Sequence, residues 1–285
     1  MLTSADWCKG NTAVAFGLQK FPGSIPGSAE SIRCFAPTLE PNTIAYVSSL
    51  NLFDIHLENT RALDRAFDIT AKECREAIGR GDAGAVEALT KTCIFLFGAR
   101  MENRLFRLLY EPTAFTDDQR SRILDGRSIE DAWVASIGEA FAARRQLRPS
   151  LVPERLNFTD RSRHDELVRL VRVELAPIIT LRNVLGHGQW HRALTADRSR
   201  VDPDRMRLLR STRLWHLTLK ANLLEHLVWL LHDLALTYVA FERDFDKRWT
   251  DLQAARHRLD LDRYRQWEQM LVRRHQNGRA LRRAQ

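Results

Sequence analysis

From Asn42 onward, apolar side chains recur every three or four positions and polar ones fill the intervals. That period matches the 3.6-residue turn of an α-helix, not the two-residue alternation of a strand. Ile44, Val47, Leu50, Phe53, Ile55 and Leu57 open the pattern, which continues through Leu63, Phe67 and Ile78 until Gly79 and Gly81 stop it. A second helix is predicted from about Ala83 to Tyr110, carrying Leu89, Cys93, Leu96, Phe97, Met101, Leu105 and Leu108, with Pro112 beyond its end. A short helix is predicted over 117–124. Another begins after Ser128, a favourable N-cap with Asp131 three residues on, and shows Ile129, Trp133, Ile137 and Phe141 on one face.

Past a loop marked by Pro149 and Pro153, a helix is expected from about Asp160 through Leu167, Leu170, Val171 and Leu175. Pro177 must kink or restart it, because proline lacks an N–H and its ring crowds the preceding turn. Ile178 to Leu185 continues helically and Gly186 and Gly188 close the segment. Beyond a polar loop with Pro203, one long helix is expected from about Asp204 towards Trp249, and a last basic helix over roughly 251–275. No strand alternation and no internal repeat appears. The pattern is that of an all-α helical bundle.

Breakers fix the domain plan. The chain has 13 Gly and 9 Pro, and eight of these fall before residue 42, with Pro22, Gly23, Ser24, Pro26, Gly27 and Ser28 in one cluster. Residues 1–41 read as a flexible Pro/Gly/Ser-rich tail, residues 42–250 as the helical domain and residues 251–285 as a basic C-terminal helix. The most apolar stretch, Leu223 to Phe241, is broken by Glu225, His226, His232 and Asp233, so it reads as a buried helix and not a membrane span. Cys8, Cys34, Cys74 and Cys93 form no C-x-x-C pair and no disulfide framework, and no signal peptide is evident, so a cytoplasmic location is expected.

Net charge is +8 with a pI of about 9.7. The charge is uneven: residues 40–140 carry 12 basic and 17 acidic side chains, whereas residues 250–285 carry 9 against 4. Arginine dominates the cations, and its planar fork suits phosphate. Polyanion binding and a merely solvated surface are both compatible with this balance.

The chemistry concentrates in Leu-Arg-Asn-Val-Leu-Gly-His-Gly-Gln-Trp, residues 181–190. On a helix, Asn183 and His187 lie about 40° apart, and the long arm of Arg182 can curl over from roughly 100° away. A cation, an amide and an imidazole are thus offered to one spot. A neutral imidazole can accept the proton of a ribose 2′-OH, and a guanidinium can hold the phosphate under attack. An Arg followed by a His four to six residues later occurs once more, at Arg210 and His216, but that pair is expected mid-helix among Leu214, Trp215 and Leu217. A plainer reading also stands: Gly-His-Gly as a C-cap, with Arg182 paired to Glu174 or Asp165.

The run Leu-Arg-Asn-x-Leu-x-His-Gly-Gln-Trp resembles the signature of HEPN domains, and the preceding Leu-Ala-Pro-Ile-Ile strengthens the likeness. Extended over roughly residues 42–245, the resemblance implies a helical bundle that forms a homodimer, each protomer bringing its Arg and His to a shared cleft. It implies a metal-independent RNA endonuclease of toxin–antitoxin or antiphage type, with cyclic-phosphate products and no cofactor. RNA would be the substrate, and an antitoxin or other regulatory protein a partner. Arg182 would stabilise the phosphate, Asn183 orient, and His187 act as general base and acid.

Weaker candidates surround this trio. Glu102, on the helix bearing Phe97 and Phe106, can reach across to orient His187 or Arg182, or can be a solvated or structural carboxylate. Arg144 and Arg145 precede a loop and suit an RNA backbone or a solvated helix end. His191 has metal-like spacing from His187, but no third ligand accompanies them and no metal is expected. Tyr264 and Trp267 suit stacking on bases or anchoring of the last helix. A non-catalytic module binding RNA, nucleotide or a partner protein, and a purely structural bundle, remain the competing functions.

Overall fold

The computed structural model describes residues 51–236, 238–261 and 263–283. The tail expected over residues 1–41 and the opening of the first helix, Ile44 to Leu50, lie outside the described residues. Residues 51–285 cluster as one compact unit, and the described residues contain helices and no strand.

α1 (Leu52–Arg80) begins where the Asn51 side chain accepts the Asp54 N–H at 2.9 Å. It ends at Gly81, whose φ of 73° lets its N–H turn back to the last carbonyls. Asp82 caps the next helix one residue later by accepting from Ala85 N. α2 (Ala83–Tyr110) therefore returns antiparallel along α1. Phe67 and Phe97 meet at 5.8 Å across the pair, and Asn103 donates to His56 O and Thr60 Oγ1, both at 2.7 Å.

α3 (Asp117–Leu124) starts with a full capping box between Thr116 and Gln119. α4 (Ile129–Arg145) starts at Ser128, which accepts from Asp131 N as expected. α5 (Phe158–Leu170) runs into a π-helical turn, Val171–Leu175, and then α6 (Ala176–Gly186). The Ala176 N–H bonds Val171 O, five residues back. The widened turn absorbs Pro177, which cannot donate and would clash in an unbroken α-ladder.

The long helix expected from Asp204 towards Trp249 is instead α7 (Pro203–Ser211), α8 (Leu214–Leu236) and α9 (Tyr238–Asp260). Thr212 takes an extended backbone and so ends α7, while its hydroxyl bonds Leu208 O at 2.7 Å. Arg248 meets Asp233 at 2.7 Å and lies 5.4 Å over Trp229. On one continuous helix Asp233 and Arg248 would stand about 22 Å apart, so α9 folds back along α8. The last basic helix is α10 (Tyr264–Arg283), displaced from the 251–275 expected. Trp267 packs 5.3 Å from Trp215, which makes it an anchor to α8, and His275 lies against Gly79 of α1.

α2 is the axis of the bundle, covered by α1, α6 and α8. Its Phe97, Met101 and Leu105 are fully buried with Trp133, Phe141 and Phe241, each such side chain contributing about 1.5–3 kcal/mol on burial. Arg100 and Arg104 of α2 tie Asp64 of α1 to Glu225 of α8. Glu225, His232 and Asp233 are three of the four polar interruptions, with His226, in the stretch Leu223 to Phe241. Each is paired across helices, His232 with Glu111 and Asp233 with Arg248. Among the described residues, no helix is long and apolar enough to cross a membrane.

Candidate active site at the close of α6

α6 crosses α2 at a glycine. A Cβ on Gly98 would stand 2.4 Å from Arg182 Cβ, 2.8 Å from its Cγ and 3.3 Å from Ile178 O. No side chain of any size fits there, so the absence of one lets Arg182 lie directly on α2. One turn further along the same face, Glu102 forms an ion pair with the Arg182 guanidinium. Burial pushes the Arg182 pKa down from its ordinary value, and the Glu102 carboxylate supplies the compensating charge. The pair is neither sealed nor loose, with side-chain exposures of 27% for Arg182 and 18% for Glu102.

Arg182 Nη1 also donates to Asn183 Oδ1 at 2.8 Å. The amide oxygen is thereby engaged, so Asn183 orients the guanidinium and keeps its NH₂ as a donor. Glu174 and Asp165, the other partners considered for Arg182, are taken by Lys220 and by His164.

His187 is the C-cap residue of α6. Its N–H reaches Asn183 O at 3.0 Å, which keeps it one helical turn above Asn183, and both side chains are exposed. Gly188, at φ 76°, donates to Leu185 O, and Gln189 N–H bonds Val184 O. These bonds satisfy carbonyls left open at the helix end. The Gln189 side chain then accepts from Leu194 N at 2.7 Å and pins the following loop. Gly-His-Gly-Gln is therefore a working helix stop, as the plainer reading held, and it presents the imidazole to solvent.

The remaining candidates do not join the trio. Arg144 donates to the carbonyls of Leu234 and Ala235 at 2.7 and 2.9 Å, capping the end of α8. Arg145 bonds Asp160 at 2.5 Å and reaches Glu242 at 3.5 Å. Both belong to the packing of α4 on its neighbours. The sequence does not show which carbonyls and carboxylates lie opposite, so it offers only an RNA backbone or a solvated helix end as their surroundings. His191 is exposed beside Glu87, about 16–22 Å along α2 from Gly98 and Glu102 at 1.5 Å per residue. Arg210 closes α7 while His216 lies in α8, so the second Arg–His pair does not share a helix. Among the described residues, no group of three or more His, Cys, Asp or Glu side chains is placed to hold a metal ion.

Gly98 is the contributor that pattern reading passed over. Its signal was a glycine in the interior of a 28-residue helix, where it costs about 0.5–1 kcal/mol relative to alanine unless something needs the space. Comparison with known proteins brings no further assignment: no family model matches the chain, and neither a curated protein nor a solved structure is significantly similar to it.

Proposed function

We propose that this chain is a metal-independent RNA endonuclease of HEPN type, acting as a homodimeric toxin or antiphage effector. The supporting observation is the arrangement at the close of α6: a guanidinium held by Glu102 and Asn183, one turn before a solvent-open imidazole. His187 takes the proton of a ribose 2′-OH, and the freed oxygen bonds to the adjacent phosphorus. The P–O5′ bond breaks, and a protonated imidazole returns a proton to the leaving oxygen. Arg182 neutralises charge gathering on the non-bridging oxygens, with the Asn183 amide as a further donor. Acid–base help of this kind contributes roughly 10²–10⁴ in rate. By the resemblance, a second copy brings its own Arg and His across the open face, and a regulator or antitoxin covers that face when activity is off.

One observation favours a second reading. Arg182 already has a carboxylate partner, which suits a bundle that holds RNA, nucleotide or a protein without turning it over. The two readings separate in a chelator-treated RNase assay. Catalysis requires that wild type cut RNA and that Arg182→Ala and His187→Ala each lose at least a hundredfold in rate with unchanged circular dichroism. Salt-dependent RNA binding with no cleavage would establish the binding module instead.

A further inference from the structure

A cleft of about 610 Å³ opens beside the α1–α2 turn, between α2, α7 and the start of α10. Its size falls within the range of sites for small molecules. Ile78, Leu209 and Leu214, each buried, form an apolar floor. The rim is charged, and the state of each charge decides what the cleft can take. Lys91 is paired with Glu87, whereas Glu268 accepts the Tyr264 hydroxyl at 2.8 Å and keeps its negative charge. Arg210 and Arg213 are exposed and have no carboxylate partner among the described residues; Arg213 rests 5.7 Å over the Tyr264 ring. His191, also exposed, faces the same space. The rim is left with two guanidinium charges against the one Glu268 carboxylate, a net positive charge above an apolar floor, with the Arg213 guanidinium over an aromatic ring.

We propose that this cleft binds a phosphorylated nucleoside, free or as one unit of an RNA strand. Arg210 takes the phosphate, with His191 as a further donor. The base lies over the apolar floor against the Arg213 guanidinium, whose planar face stacks on nucleobases. Simple anion binding would not need the floor, and a purely apolar ligand would leave both arginines unanswered. The site is distinct from Arg182 and His187 and does not depend on whether they cleave RNA.

Calorimetric titration of the full chain with adenosine 5′-monophosphate, adenosine, ribose 5-phosphate and inorganic phosphate tests this. The nucleotide is expected to bind at least tenfold tighter than any of the three fragments. The Arg210→Ala/Arg213→Ala double variant is expected to weaken nucleotide binding at least tenfold with an unchanged melting temperature. A short oligoribonucleotide that binds tighter than the mononucleotide, by an increment the Arg210→Ala/Arg213→Ala variant loses, identifies the strand as source, and the reverse order identifies a free nucleotide. Absence of nucleotide binding, equal binding of phosphate alone, or full binding by the double variant would overturn the proposal. Because the readout is binding, it stands or falls apart from any RNase assay.

Discussion

Gly98 and Arg182 occupy a contact that admits no Cβ: a methyl at position 98 would overlap the Arg182 Cβ and Cγ at 2.4 and 2.8 Å. The helix bearing the candidate site is thus seated on α2 at the side chain on which the proposed chemistry depends.

Gly98→Ala should therefore destabilise the protein although alanine is the better helix former. The helical gain is at most about 1 kcal/mol, whereas overpacking typically costs about 1–3 kcal/mol. A net fall in the urea midpoint is expected, with loss of RNA cleavage from a displaced Arg182. A stabilised Gly98→Ala with full activity would show that the contact relaxes freely.

Glu102→Gln removes the charge opposite a half-buried guanidinium. Exposed pairs contribute up to about 1 kcal/mol and breaking a buried one costs about 3–5 kcal/mol, so a loss of about 1–2 kcal/mol is expected here. Denaturant titration of Glu102→Gln, Arg182→Met and the double variant checks this. The double variant should be more stable than the sum of the two single losses allows.

Arg144→Ala should act on stability and leave RNA binding unchanged. It frees two carbonyls at the end of α8, a loss of roughly 1–3 kcal/mol for bonds from a charged donor. Chemical denaturation beside an RNA gel-shift would show the separation. Weakened RNA binding at unchanged stability would restore Arg144 as a contact.

Alkaline pH should destabilise the fold. Burial pushes the Cys93 thiol up to about 12 and raises Cys74, while burial and then the Glu268 bond raise Tyr264 to about 12. In the unfolded chain the thiols ionise near pH 8.5 and the phenol near 10. For Cys93 and Tyr264, between those values and about 12 the unfolded state binds fewer protons than the native one, and Cys74 acts in the same direction, so stability falls as pH rises, by about 1.4 kcal/mol per pH unit for each group titrating. Urea midpoints at pH 8, 9.5 and 10.5 should drop, and Cys93→Ala should flatten the slope. Midpoints that do not change with pH would contradict the burial assigned to these groups.

The bundle was legible wherever local signals coincide with structure. Gly81, Asp82, Ser128 and Pro177 act through their own backbone conformation or their nearest neighbours, so their roles can be read along the chain. The breaks that divide α7, α8 and α9 were not legible, because Leu208, Leu209, Leu214 and Leu217 keep a helical period straight across Thr212. What ends α7 is the extended backbone of Thr212, which no change in the apolar period announces. The same boundary separates the site's parts. Arg182, Asn183 and His187 share one turn and could be found by spacing. Glu102 could be placed only as a candidate, and Gly98, 84 positions before Arg182, contributes through a tertiary contact that periodicity does not encode.

The most direct test is the 3′ end left on a defined oligoribonucleotide by purified protein in excess chelator, with His187→Ala beside it. His187 is exposed, so its removal should change stability by no more than about 0.5 kcal/mol. Wild type should leave 2′,3′-cyclic phosphate ends, and His187→Ala should yield at least a hundredfold fewer. Intact RNA with wild type, or the same ends at the same rate with His187→Ala, would contradict the account.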